Sequence, residues 1–251
     1  MGPRKVVIIP TYNEKENVVA IIGAVLALNG DYHVLIIDDG SPDGTASLVR
    51  RQAALHPQQV FLEERRSKLG LGTAYIHGFR WAMNKSYDYI FEMDADFSHP
   101  PTDLPRLFEA CHQDGADVAV GSRYVTGGGV KNWPTNRILL SRGASIYTRL
   151  ITFLPVEDTT AGFVCYKRKV LQAIDLDQIQ FVGYAFQIEM KFAAWTLGFK
   201  IKEVPIVFED RKLGDSKMSK GIIREGVLGV LKLRWYSLFK NYRARVKNAF
   251  G

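Results

Sequence analysis

Over the first half of the chain, short runs that are apolar throughout alternate with longer stretches whose apolar positions recur every three to four residues. Residues 5–10 (KVVIIP), 33–39 (HVLIIDD), 60–64 (VFLEE), 87–94 (YDYIFEMD) and 116–123 (ADVAVGSR) read as strands. Between them, residues 16–28, 43–55, 72–84 and 102–113 carry helical periodicity, with Asp43 and Thr102 as candidate N-caps. A strand that is apolar at every position is buried on both faces. Such strands alternating with helices predict an α/β fold with a mostly parallel, Rossmann-like sheet flanked by helices.

The second half is less regular. Residues 124–160 open on three successive glycines, Gly127 to Gly129, which read as a flexible loop, and turn helical up to about Phe153. A strand at 163–167, a helix at 185–198, a strand pair within 199–209 and a polar loop at 210–221 follow. No repeat or linker is evident, so one domain is expected over 1–220, with residues 221–251 as a basic, amphipathic C-terminal helix and tail.

Composition adds the compartment and the charge. At 251 residues, with 47% hydrophobic and 24% charged, the chain has a sizeable core. No apolar run approaches the roughly 18–20 residues that cross a bilayer. The N-terminus lacks a secretory pattern, and Cys111 and Cys165 are the only cysteines, which predicts a reducing, cytoplasmic setting. Net charge is +7, unevenly spread: from Arg211 onward eleven Lys and Arg face only Asp215 and Glu225. That tail should seek an anionic surface. In it Ile222, Ile223, Val227, Val230, Leu231, Leu238 and Phe239 recur at helical spacing among cations, with Trp235 and Tyr236 between them. Two readings fit: a helix lying in a membrane interface, or one packed on the core or on a second copy of the chain.

The candidate chemistry sits where strands end. EMDADFSH (92–99) closes an apolar strand on two carboxylates, Asp94 and Asp96, and a charge placed near a core needs a counter-charge, either a basic side chain or a metal. DDGSPDG (38–44) is a second acidic turn; Asp43 has a capping duty there, and Asp39 is expected to be free for a base or ribose. PTYNE follows the first strand and GSR the fifth. In doubly wound sheets ligands collect at the carboxyl ends of strands, so these clusters predict one shared site.

IIPTYNEKENV, IIDDGSPDGT, GLGTAY, MDADFSHPP and GSRYVTGGGVKNWP, with the late RKLGDSKM, together resemble the family-2 glycosyltransferases of GT-A fold, and more narrowly the dolichol- or polyprenol-phosphate mannosyltransferases. The likeness runs from about Val6 to Lys220. It implies that Pro10, Tyr12 and Glu14 line a nucleotide pocket, with Ile37 and Asp39 at base and ribose. Asp94 and Asp96 would carry Mg²⁺ or Mn²⁺ on the donor diphosphate, with Ala95 adding backbone contacts. Ser98 stands where some relatives ligate with Gln. Arg123, Arg211 and Lys217 would meet donor phosphates or sugar, Arg123 serving catalysis with the two aspartates. Arg137 and Ser141 would meet the phosphate of a lipid acceptor. The implied reaction is inverting transfer of mannose from GDP-mannose to a polyprenyl phosphate, by a protein peripheral on the cytoplasmic face of a membrane or held by a separate anchor protein.

A hydroxyl acceptor requires a general base, whereas a phosphate monoester, with a second pKa near ~6, is already anionic. Glu189 and His99 are the candidate bases, each with a plainer reading as a packing or turn residue. Another donor such as UDP-glucose, a saccharide acceptor, and a non-catalytic nucleotide-sugar-binding subunit are the alternatives. A nucleic-acid binder is disfavoured, because no binding motif accompanies the basic tail.

Overall fold

The computed structural model describes residues 2–183, 185–210, 220–239 and 242–244, with backbone alone over 220–227. The elements in order are β1 (Lys5–Thr11), α1 (Val18–Leu26), β2 (Tyr32–Asp38), α2 (Thr45–Leu55), β3 (Val60–Glu64), α3 (Leu71–Asn84), β4 (Tyr89–Glu92), α4 (Leu104–His112), β5 (Val118–Ser122), β6 (Gly129–Lys131), α5 (Thr135–Thr152), β7 (Val164–Lys167), α6 (Arg168–Ala173), α7 (Ala185–Thr196), β8 (Ile201–Pro205), β9 (Val207–Glu209) and α8 (Lys220–Ser237). Seven strands form one sheet in the order β3-β2-β1-β4-β7-β5-β8. All run parallel except β7, which is antiparallel to both its neighbours. The predicted α/β architecture is present.

Alternation along β1 explains why its sequence is apolar at every position. Val6 and Ile8 enter one core cluster, Val7 and Ile9 the other, and all four are fully buried. Each side chain taken from water in this way contributes about 1.5–3 kcal/mol. Helix α3 reaches the sheet through Gly78, where a Cβ would sit 2.7 Å from Ile8 Cγ2. Parallel register sets Thr11 beside Asp38, and the Thr11 hydroxyl donates to Asp38 Oδ1 at 2.9 Å. The ends of β1, β2, β4 and β5 thereby fall on one edge, as expected.

Several local expectations need correction. The triple glycine is a tight turn leading into β6, which pairs with β9 in a second, two-stranded sheet. Gly127 has φ +89°, and a Cβ on Gly128 would lie 2.6 Å from the Ser122 carbonyl oxygen, so these glycines serve close approach rather than flexibility. The strand pair at 199–209 is split between the two sheets. Helix α4 begins at Leu104 after a short turn, without a side-chain cap from Thr102. The N-cap of α2 is Gly44 rather than Asp43, which stands one residue earlier and whose Oδ1 accepts the backbone N–H and the hydroxyl of Thr45 at the first helical position.

The C-terminal segment is tied to the body. Helix α8 packs on α5 and α7, burying Val230 and Leu233. Tyr242 is buried as well, and its carbonyl accepts the Asp175 N–H. The packing reading therefore holds for one face. Leu228, Leu231, Trp235, Tyr236, Leu238 and Phe239 remain exposed. No helix among the described residues is long and apolar enough to cross a membrane.

Candidate active site

A cavity of about 760 Å³ opens at the carboxyl edge of the sheet. Pro10, Tyr12, Glu14, Asp39, Asp94, Ala95, Asp96, Arg123, Arg137 and Ser141 all line it. Residues from the ends of four strands and from α5 therefore share one space, as their positions in the sequence implied. Ile37 instead points into the core, fully buried. Arg211 and Lys217 lie outside the described residues.

Asp94 and Asp96 follow β4 directly. Asp94 is part-exposed, and Asp96 accepts the Ser98 N–H on Oδ1 at 3.1 Å, closing a short turn. Ser98 is buried behind that turn rather than on the cavity wall, so it supports Asp96 through the backbone. His99 is buried yet lines the cavity: its ring stacks on Phe163 at 5.0 Å, and its Nδ1 accepts the Asp94 N–H. Burial pulls its pKa well below the ordinary value, in keeping with a neutral ring whose unprotonated Nδ1 can accept. His99 is thus a buried residue of the turn, and its ring supports the carboxylate loop from the cavity wall.

Two carboxylates one residue apart, with no third acidic, His or Cys ligand grouped with them among the described residues, are a hard-oxygen donor set. Mg²⁺ and Mn²⁺ suit such a pair, because they complete their coordination with substrate phosphate oxygens and water. The residues present fit such an ion.

Three cavity residues are engaged in ways the sequence did not announce. Asp39 is not free: Arg65 grips it with Nε and NH2 at 2.6 and 2.8 Å, and Thr73 holds the same guanidinium. Burial raises the Asp39 carboxyl above its ordinary value, and Arg65 opposes the rise without cancelling it. Arg123 binds buried Asp158 through Nε and NH2, each at 2.6 Å, and its own backbone N–H donates to the same carboxylate. Burial by itself would raise Asp158, but these Arg123 hydrogen bonds and charge hold it below the ordinary carboxylate range. Arg137 pairs with Asp210 at 2.9 Å and lies 4.0 Å from the centroid of Trp133. A bidentate pair fixes a planar guanidinium in one orientation. The protein thus spends part of each arginine's hydrogen-bonding on its own carboxylates.

Glu189, the candidate base, is buried away from the cavity. Its Oε2 accepts the N–H groups of Gln180 and Phe181 at 2.8 and 3.0 Å. Its plainer, structural reading is the right one. Glu189→Gln is therefore expected to leave the transfer rate nearly unchanged, where loss of a general base would cost about 10²-fold or more. Glu189→Ala should lower the melting temperature, because two part-buried N–H donors lose their acceptor, at about 1 kcal/mol each. Initial rates and thermal melts of the two variants check this.

Sequence reasoning missed Lys68, Trp133 and the buried groups Asp158, Glu92 and Lys191. Lys68 sits 4.8 Å from the centroid of Tyr12 in the cavity wall. Glu92 was visible as a charge inside an apolar strand, and that was the available signal.

The fold is of the GT-A type. A glucosyl-3-phosphoglycerate synthase from Mycobacterium tuberculosis, solved with Mn²⁺, UDP and its product, superposes with TM-score 0.66 at 16% identity over 92% of this chain and 80% of that one. A mannosyltransferase from Pyrobaculum calidifontis in complex with GDP-Man and Mn²⁺ superposes with TM-score 0.58 at 19% identity over 95% and 75%. The Glycosyl transferase family 2 profile matches residues 6–175. The polyprenol monophosphomannose synthase of Mycolicibacterium smegmatis is 48% identical over 90% of this chain and 85% of its own length. The undecaprenyl-phosphate mannosyltransferase of Micrococcus luteus is 45% identical over 97% and 99%. The chain belongs to glycosyl transferase family 2, in the branch of the polyprenol-phosphate mannosyltransferases.

Proposed function

We propose that the chain transfers mannose from GDP-mannose to the phosphate of a polyprenyl lipid with inversion at the anomeric carbon, giving a β-mannosyl phosphoryl polyprenol and GDP. One observation carries this reading: a single cavity is lined by Asp94 and Asp96, by Arg137 and Ser141, and by the apolar side chains of Leu139, Leu140, Ala144, Ile188 and Val230. A charged donor suits the carboxylates, and a prenyl phosphate suits the basic and apolar lining.

Pro10, Tyr12, Glu14 and Asp39 serve the nucleoside end, with Ile37 packed in the core beneath them. In this scheme Asp39 works together with Arg65, which already occupies its carboxylate. Asp94 and Asp96, with Ala95 between them, would hold Mg²⁺ or Mn²⁺, which supplies Lewis-acid neutralisation of the leaving diphosphate. Arg123, Arg211 and Lys217 add fixed positive charge there. An acceptor phosphate oxygen forms the bond to the anomeric carbon as the bond to the GDP β-phosphate oxygen breaks, and the electron pair leaves with GDP. The acceptor is already anionic at neutral pH and needs no base. That agrees with the structural engagement of Glu189 away from the cavity.

Residues 1–220 form the catalytic domain in this reading, and residues 221–251 meet a membrane on its cytoplasmic face. The exposed apolar side chains of α8 support it, as do Leu139, Ile146, Leu150 and Phe153 exposed on the adjacent α5 beside Arg142 and Arg149. Replacing Trp235 and Phe239 together by Ser is expected to weaken co-sedimentation with anionic vesicles at least tenfold, roughly the burial of one such ring.

The reaction is tested with radiolabelled GDP-mannose or UDP-glucose, Mg²⁺ and short-chain polyprenyl phosphate, counting label in the organic phase. Lipid label from GDP-mannose is expected. Label only from UDP-glucose would refute the donor, and no lipid label from either would refute the acceptor.

A further inference from the structure

Two shielded nitrogen donors in the cavity wall have no acceptor. Trp133 Nε1 and Arg137 Nε are closed to solvent, and neither has a hydrogen-bond partner among the described residues. Indole and guanidinium N–H groups can only donate, so what satisfies them is an acceptor oxygen or an anion. The two side chains touch, with the Arg137 guanidinium carbon 4.0 Å from the ring centroid, and both residues line the cavity. Their other groups are committed. Arg137 NH1 donates to Asp210 Oδ2 at 2.9 Å. The Trp133 ring is held edge-on by Phe208 at 5.2 Å and flanked by the Arg123 guanidinium at 5.4 Å.

One turn further along α5, Ser141 accepts the Tyr124 phenol proton at 2.7 Å, which leaves the Ser141 proton available to donate. Positions 137 and 141 share a helix face. Leu139, Leu140 and Ala144 line the same cavity. Two unpartnered N–H donors and a hydroxyl in a cavity that also presents apolar side chains match a phosphate monoester carried on a hydrocarbon.

We propose that Trp133 is a phosphate-binding residue whose indole N–H, together with the Arg137 Nε–H and the Ser141 hydroxyl, receives the phosphate of the acceptor lipid. This rests on reading the acceptor as a polyprenyl phosphate. An unmade hydrogen bond at a buried donor is unfavourable, and a charged acceptor makes the bond stronger than a neutral one, so anion entry relieves the one and gains the other.

Trp133→Phe keeps a ring for Arg137 and Phe208 to pack on and deletes the N–H. Its KM for farnesyl phosphate should rise about tenfold, the loss expected for one hydrogen bond to a charged group. Its kcat and its KM for GDP-mannose should stay within about twofold. An unchanged farnesyl phosphate KM would overturn the proposal. A parallel rise in both KM values would also overturn it, because the ring would then only shape the cavity.

Calorimetric titration of farnesyl phosphate without donor separates this claim from the reaction itself. If the wild-type protein makes no mannolipid yet binds farnesyl phosphate more tightly than Trp133→Phe does, the transfer reading fails and the Trp133 site stands. If the wild-type protein does not bind it, the site falls too. Inorganic phosphate binding as tightly as farnesyl phosphate would overturn the lipid assignment. Should Trp133→Phe not fold, benzothienylalanine at position 133 replaces the N–H by sulfur in nearly the same shape and is read the same way.

Discussion

Replacing Asp96 by Asn should lower mannosyl transfer at least about a thousandfold, or about 4 kcal/mol of transition-state stabilisation, while the protein stays folded. The choice of Asn isolates the charge. Asp96 accepts the Ser98 N–H on one oxygen, and an amide oxygen can make the same bond, so the turn after β4 is kept. What is lost is the anion that, with Asp94, would hold a divalent cation against the leaving diphosphate. A nucleoside diphosphate leaves poorly until its developing charge is neutralised, so removing one of two metal carboxylates should act chiefly on kcat. Two measurements check it: kcat at saturating donor, and Mn²⁺ binding in the presence of GDP, followed by the loss of the free-ion EPR signal. A variant that keeps a tenth of the rate, or binds Mn²⁺ as the wild type does, would remove Asp96 from the metal role.

The site was largely legible in the sequence because a parallel sheet converts order along the chain into position in space. PTYNE, DDGS, DAD and GSR could be assigned to one edge once their strands were recognised, and their residues do line one cavity. What could not be read was which charges meet. Arg65 lies 26 residues from Asp39, and Asp158 lies 35 residues from Arg123. Nothing local in either stretch names its partner, since long-range pairing follows from how loops fold over the sheet edge. The glycines at 127–129 misled for a related reason. Glycine permits both a loose loop and a close backbone approach, and only the position of the Ser122 carbonyl distinguishes them. The carboxylates of EMDADFSH raised the question of a counter-charge. For Glu92, the one that is fully buried, neither oxygen has a hydrogen-bond partner among the described residues, and the charge that acts on it is that of Lys191, which is not in contact with it.

That lysine makes the largest stability prediction. Lys191 is fully buried on α7, and its ammonium donates to the carbonyls of Ala161 at 2.6 Å and Gln187 at 3.0 Å. Burial lowers its pKa and raises that of Glu92, and each charge partly offsets the shift of the other. Lys191→Met leaves the Glu92 carboxyl buried without its cation and two carbonyls without a donor. Removing a buried ammonium that donates to two carbonyls and offsets a nearby buried acid costs about 3–5 kcal/mol, which in a chain of this size lowers the melting temperature by roughly 10 °C. The deficit should also depend on pH. Without Lys191 the folded-state pKa of Glu92 rises further above its unfolded value, so above the ordinary carboxylate range the folded protein binds the extra proton. Stability must then fall as pH rises through that window, and the deficit should be smaller at acidic than at alkaline pH. Glu92→Gln combined with Lys191→Met removes the buried charge and should recover about 0.5–3 kcal/mol of the loss, together with its pH dependence. Thermal melts of both variants in EDTA across the pH range decide it. A single variant as stable as the wild type, or a double variant no better than the single, would mean that Glu92 and Lys191 are not energetically coupled.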